Sequence, residues 1–151
     1  MTVMKYEHRF LVTAPLAAVA GFHRDTRALK TLTPPPLMVQ FNHIEPLAEG
    51  SLADFTLRLG PLAIRWVAVH SEVSLLNGFV DTQKEGPFDF WRHRHTFRAV
   101  NDQSSEVIDS IEAAYGGPIS RFMWLNLPVL FAYRALRTKR ALEGQGTGLD
   151  S

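Results

Sequence analysis

The sequence predicts an α+β fold: a curved antiparallel sheet of seven strands around one long C-terminal helix, with two short helices after the first strand. Three observations predict it. Apolar alternation with period two recurs in consecutive segments between residues 38 and 115. The breaks Glu49-Gly50-Ser51, Gly60-Pro61, Asn77-Gly78 and Gly86-Pro87 are too short for crossover helices, so neighbouring strands pair antiparallel. After Gly116-Gly117-Pro118 the pattern becomes helical over Ile119–Glu143, the one segment long enough to cover the sheet's inner face.

The elements follow in order. Met4–Val12 alternates as a strand, with Tyr6, His8, Phe10 and Val12 on one side. Pro15 opens a helix to His23, because the first helical position needs no N–H. Asp25 or Thr26 caps a second helix, Arg27–Leu32, and Pro34-Pro35-Pro36 stops it. Strands are predicted over Met38–Glu45, Ser51–Leu59, Leu62–Leu75, Gly78–Glu85, Phe88–Val100 and Glu106–Tyr115, with Asn77-Gly78 the sharpest hairpin signal. Residues 1–143 read as a single domain and 144–151, rich in glycine, as a flexible tail.

Composition bounds the function. A chain of 151 residues, 46% hydrophobic and 21% charged, makes one folded domain rather than a disordered chain. Sixteen basic against 15 acidic residues leave a net charge of +1, which argues against a dedicated nucleic-acid binder. Without cysteine there are no disulfides, no thiolate catalysis and no Cys-ligated zinc. The opening residues lack the apolar core of a signal peptide, so a cytoplasmic location is expected.

The segment Phe88–Val100 carries the clearest two-sided pattern. Trp91, His93, His95, Phe97 and Ala99 share one face, and Arg92, Arg94, Thr96 and Arg98 the other. The arginines belong in water, so the Trp/His/Phe face points inward. Pairing residue 99 with 105 places His95 opposite Asp109, and the turn at Gly86-Pro87 places Asp81 opposite or diagonal to His93. The inner surface then has apolar walls and a polar band of Asp81, Gln83, His93, His95 and Asp109.

That band has a structural and a functional reading. Buried His and Asp can simply satisfy one another, or they can hydrogen-bond the polar end of an apolar ligand. A histidine held by a carboxylate also moves protons near neutral pH, which makes His93, His95, Asp109 and Asp81 candidate catalytic residues. His93, His95 and Asp109 form a donor set known for iron(II) or zinc. Any alternating strand with two histidines has this spacing, so neither metal nor cofactor is expected. His8, His23, His43 and His70 are scattered and read as surface or satisfied core.

The last helix has almost no polar stripe in its first half. Phe122, Met123, Leu127, Leu130 and Arg134 form one inward stripe. Trp124, Leu125, Val129 and Ala132 then need cover from the short helices, a second copy of the chain or transient membrane contact. The run is too short to span a bilayer. Arg134, Arg137, Lys139 and Arg140 complement the helix C-terminal dipole. Pro128 is expected to kink the helix, with Asn126 satisfying a freed group or meeting the ligand.

Two segments carry a family resemblance. AP-x3-V-x2-FH-x-D-x3-L-x2-LTPP, Ala14–Pro35, resembles the opening of START or birch-pollen-allergen-like proteins, the helix-grip (SRPBCC) superfamily, which includes polyketide cyclases and dehydrases. F-V-D-x-Q-x2-GPF-x2-W-x-H-x-H-x-F, Phe79–Phe97, is similar to a bacterial subgroup of that superfamily. The resemblance implies a carrier or sensor that binds a lipid, isoprenoid or polyketide-like molecule between sheet and helix. Phe55, Leu57, Trp66, Trp91, Phe97, Ile111, Phe122, Met123 and Leu130 would give apolar contact. Asp81, Gln83, His93, His95 and Asp109 would hold the polar end, with Asn126 beside them. It also leaves two alternatives: a cyclase or dehydratase using the His/Asp pairs as acid and base, and a protein-interaction module without a ligand.

Overall fold

The computed structural model describes residues 1–147. Its strands are β1 (Met4–Val12), β2 (Met38–Ile44), β3 (Leu52–Leu59), β4 (Leu62–Ser74), β5 (Gly78–Glu85), β6 (Phe90–Asn101) and β7 (Ser104–Ala114). Its helices are α1 (Leu16–Arg24), α2 (Ala28–Thr31), α3 (Pro118–Leu125) and α4 (Leu127–Thr147). The strands form one seven-stranded sheet in the order β1-β7-β6-β5-β4-β3-β2, with every neighbour antiparallel. The meander runs β2 to β7, and β1 returns beside β7. This is the architecture that the alternation and short turns predict.

Local chemistry fixes the joints. Asp25 accepts the Arg27 N–H at 3.0 Å in the turn before α2, but the residue that caps α2 is Arg27, without a side-chain bond, so the predicted Asp25 or Thr26 cap does not form. The β4–β5 turn occupies residues 75–77, and Gly78 begins β5 at φ +126°, where a Cβ would lie 1.8 Å from the His95 carbonyl oxygen. Glycine is therefore required there by close backbone approach as well as by φ. The buried Ser120 hydroxyl accepts the N–H groups of Gly116 (2.8 Å) and Gly117 (3.0 Å) and donates to Gly117 O, which ties the first turn of α3 to the loop before it.

The predicted single C-terminal helix is two helices. Pro128 has no N–H for the Trp124 carbonyl, and the helix breaks just upstream at Asn126. The Asn126 N–H reaches back to Phe122 O and Met123 O, and its side-chain amide donates to Phe122 O at 2.8 Å. The break restarts the helical phase. In α4 the buried positions are Leu127, Phe131, Ala135 and Thr138, a clean inward stripe. Phe122, predicted on the inward stripe, is instead 63% exposed, beside Leu125 at 74% and Val129 at 66%. The helix also continues through residues 144–147 of the predicted tail, and residues 148–151 lie outside the described residues.

The interior has two apolar clusters. The larger, under α3 and the start of α4, contains Phe55, Trp66, Phe88, Trp91, Ile111, Leu127 and Phe131. The smaller, under α1, contains Val12, Val19, Phe79, Phe97 and Val107. Among the described residues no helix is long and apolar enough to cross a membrane.

Candidate functional site

Three adjacent strands carry charge into the interior, where the two clusters meet. The register pairs Asp81 with His93 and His95 with Asp109, as the turns predict. The short hydrogen bonds nevertheless run diagonally. His93 Nε2–H donates to Asp109 Oδ1 at 2.8 Å, and His95 Nε2–H donates to Asp81 Oδ2 at 2.6 Å. The directly opposed contacts are longer, 3.9 Å from His93 Nδ1 to Asp81 Oδ2 and 3.7 Å from His95 Nδ1 to Asp109 Oδ1. The two imidazoles stack with centroids 3.8 Å apart. Together the four side chains form a closed quartet with two short and two long edges.

Aromatic rings enclose the quartet. Phe79 stacks on His95 at 4.2 Å, and Trp91 and Phe131 meet His93 edge-on at 6.4 Å and 5.7 Å. Burial pushes the Asp109 carboxyl up, but the His93 hydrogen bond and the charges of His93, His95 and His23 outweigh it and hold Asp109 down to about 2. For Asp81 too, burial is outweighed by the His95 hydrogen bond and the neighbouring histidines, so its carboxyl is held below the usual range. The His95 imidazole moves down, chiefly through burial and then through the charge of His93. Both carboxylates are thus ionised, Asp109 buried and Asp81 half-buried.

Further polar groups gather around this layer. Arg134, predicted on the inward stripe, is half-buried beside the stripe that forms; it donates from Nε to Leu32 O at 3.3 Å and lies over the Phe131 ring. Burial lowers its guanidinium and the fields of Asp109 and Asp81 oppose that shift. His23 donates from Nδ1 to Val19 O at 2.9 Å and packs on Phe97 at 4.7 Å. Its pKa falls to about 4, mainly through burial. His8 pairs in register with Asp109, and its buried Nδ1 has no hydrogen-bond partner. The sequence held a signal for His8, which shares a face with Tyr6, Phe10 and Val12. Nothing in the spacing of α1 singled out His23. His70 forms a separate buried pair with the Ser51 hydroxyl at 2.9 Å.

The other predicted residues divide. Phe55, Trp66, Trp91 and Ile111 are buried in the larger cluster, with Leu57, Met123 and Leu130 packed against it. Phe97 belongs to the smaller cluster. Gln83 is not in the quartet: its amide donates to Phe88 O at 2.7 Å and accepts from Phe88 N–H at 3.2 Å, clamping the β5–β6 turn. Phe122 and Asn126 face outward, because the break at Asn126 rotates α3 relative to the frame of a continuous helix. Phe131, not among the predicted contacts, takes the place beside the quartet.

Aromatic side chains of the larger cluster pack into the space predicted between sheet and helix. Trp66 stacks on Phe55 and meets Trp91 edge-on at 5.2 Å. Two depressions on the surface are shallow and open. One, about 510 Å³, lies along Gly21, Phe22, Asp25 and Arg27; the other, about 350 Å³, lies at Thr13 and the β6–β7 hairpin.

No protein-family model matches the chain, and no curated protein sequence matches it. Solved structures do. The Zhui aromatase/cyclase from Streptomyces sp. R1128 is similar with a TM-score of 0.76 at 12% identity, covering 94% of each chain. A norcoclaurine synthase point mutant from Thalictrum flavum, in complex with a transition-state analogue, has a TM-score of 0.69 at 14% identity, covering 96% of this chain and 97% of that one. A START superfamily protein from Mycobacterium smegmatis has a TM-score of 0.67 at 11% identity, covering 91% and 98%. Identities this low carry the fold and neither ligand nor activity. The chain has the helix-grip fold that these structures share.

Proposed function

We propose that the protein binds a small, mostly apolar molecule with one polar end, and that the His–Asp quartet receives that end. The observation that carries this reading is the ionised quartet between two apolar clusters. Convergent polar groups inside an aromatic interior are the usual composition of a small-molecule site. The neighbours' fold supports the ligand class only in this coarse form.

Binding requires the interior to open. α3 is short, ends at the Asn126 break and packs on the larger cluster through Met123 and Trp124. Its displacement would uncover the side of that cluster on which Met123 and Trp124 pack, beside Tyr6. A fluorescent fatty acid and a polycyclic aromatic probe, titrated into the purified chain, test the proposal. One saturable site per chain is expected, with native mass spectrometry giving the same stoichiometry. Absence of uptake for both probe types, together with no copurifying organic mass, would overturn it.

A second reading has its own observation: each imidazole donates to a different carboxylate, giving two His–Asp pairs inside an apolar shell. That arrangement suits acid–base steps such as cyclisation or dehydration. It predicts that His95→Gln abolishes turnover of a polyketide-like substrate while probe binding persists. Loss of binding and turnover together counts against it.

A further inference from the structure

We propose that Asp81, His93 and His95 bind a divalent first-row transition ion of the zinc or iron(II) class, with Asp109 orienting the two imidazoles from outside the coordination sphere. The inference stands independently of any organic ligand, because every donor atom belongs to the chain.

The first observation is convergence. One carboxylate oxygen of Asp81 and one ring nitrogen from each of His93 and His95 lie within 4.8 Å of one another. All three sit on the inner face of β5 and β6, so rigid, paired strands hold the donors in advance of binding.

The second observation is the hydrogen-bond pattern. His93 Nε2 is committed to Asp109 as a donor at 2.8 Å. In the neutral ring its Nδ1 is therefore a lone pair. That lone pair faces Asp81 Oδ2 at 3.9 Å, acceptor toward acceptor. A cation between them turns this repulsion into two bonds. The same Asp81 oxygen is 2.6 Å from His95 Nε2, so it is the atom that both imidazoles face, and small side-chain shifts bring the three donors around an ion. When His95 Nε2 coordinates, its hydrogen moves to Nδ1, which faces Asp109 Oδ1 at 3.7 Å. Asp109 then accepts an N–H from both imidazoles. A carboxylate behind each metal-bound histidine is the usual device for fixing tautomer and ring orientation.

The donor chemistry selects the ion. Two imidazoles and one carboxylate suit zinc or iron(II), whereas calcium and magnesium want oxygen donors. The geometry also changes the assignment that spacing suggested: Asp81 is the metal-binding carboxylate, and Asp109 is the orienting one. Three protein donors leave a position open for water or for an oxygen of a bound molecule.

The test uses the whole chain after chelator treatment. Zn²⁺ is titrated by calorimetry and Co²⁺ by visible absorption, with Mg²⁺ as the oxygen-preferring control. One ion per chain is expected, with cobalt bands of a four- or five-coordinate site and no competition from Mg²⁺. Asp109→Asn should weaken binding by about 10–100-fold, and Asp81→Asn by more. His43→Ala, which removes the exposed His43–Glu45 pair, should leave affinity unchanged. Should the Asp variants fail to fold, imidazole nitrogen NMR of the wild-type chain decides. His93 Nδ1 and His95 Nε2 must shift together on adding Zn²⁺. Absence of saturable binding, unchanged affinity in a folded Asp81→Asn chain, or shifts confined to other histidines overturns the proposal. Probe uptake by the metal-free chain is measured separately, so the apolar-ligand reading can stand or fall without this one.

Discussion

Strands β4 to β7 carry charged pairs on the two faces of the sheet, and the faces differ in what those pairs do. Outside, Arg92 meets Glu112 at 2.6 Å, Arg94 meets Glu72 through two bonds at 3.2 Å and 3.1 Å, and Arg98 meets Glu106. Inside, one residue out of phase along β6, His93 and His95 meet Asp109 and Asp81. The outer pairs remain in water, where screening and side-chain entropy cancel most of the Coulomb gain. The inner groups keep little of their water, so each depends on its partner. One strand thus shows that the same pairing chemistry has high stakes only on the dry face. A costly ionic layer inside an otherwise apolar interior is what directs the functional reading to that layer.

The comparison breaks most sharply at Asp109. Asp109→Ala removes the acceptor of the His93 Nε2–H and exposes neither group to water. It should cost about 3–5 kcal/mol, the usual penalty for breaking a buried pair by deleting one partner. Urea unfolding of the metal-free chain measures it. A loss under about 1 kcal/mol would put the quartet on the same footing as the outer pairs.

Next in size is the acid sensitivity that the buried side should impose. His23 is kept neutral in the folded state, its pKa lowered from 6.5 to about 4. Its contribution is therefore fully present above pH 6.5 and is lost as pH falls toward 4, because the unfolded chain takes the proton first. The loss over that window is on the order of 3 kcal/mol. His23→Gln keeps a donor for Val19 O and should flatten the stability profile between those pH values. A profile as steep as that of the wild-type chain would assign the acid sensitivity to other groups.

The dry face also holds a neutral pair, which separates burial from charge. Ser51 accepts the Ala48 N–H at 3.0 Å and bonds His70 at 2.9 Å. Ser51→Ala leaves those partners unsatisfied and should cost about 1–3 kcal/mol. The loss should be the same in low and high salt, since no full charge is involved.

How much of this was legible beforehand follows from particular residues. The pairing of His95 with Asp109 could be read because a one-residue slip would turn Trp91, His93 and Phe97 into water. Membership of the quartet followed from that parity. The diagonal bonding did not, because sheet twist and side-chain rotamers decide between an opposite and a diagonal partner. Pro128 announced an interruption in the last helix, but its consequence was a new phase, which put Phe131 inward and Phe122 outward. Gln83 had the right parity and the wrong role, since a glutamine next to a turn can satisfy backbone groups that spacing does not reveal. Whether Trp66 and Trp91 line a space or fill it is a question of volume, and a one-dimensional pattern carries no volume.

The smallest expected effect is the control on which the comparison depends. Arg94 makes a two-pronged contact with Glu72, the best geometry a surface pair can have. Its side chain is 48% exposed and that of Glu72 61% exposed, so water competes for every bond. Arg94→Ala should therefore change stability by less than about 1 kcal/mol, with the difference vanishing at high salt as the charges are screened. Arg94 follows His93 directly, so a backbone disturbance from the substitution would also reach the inner quartet. The nitrogen resonances of His93 and His95 detect this: they should not move. A small, salt-sensitive loss with unmoved imidazoles leaves the two faces energetically separate. A large, salt-independent loss would mean that the outer pairs hold the register on which the inner quartet depends.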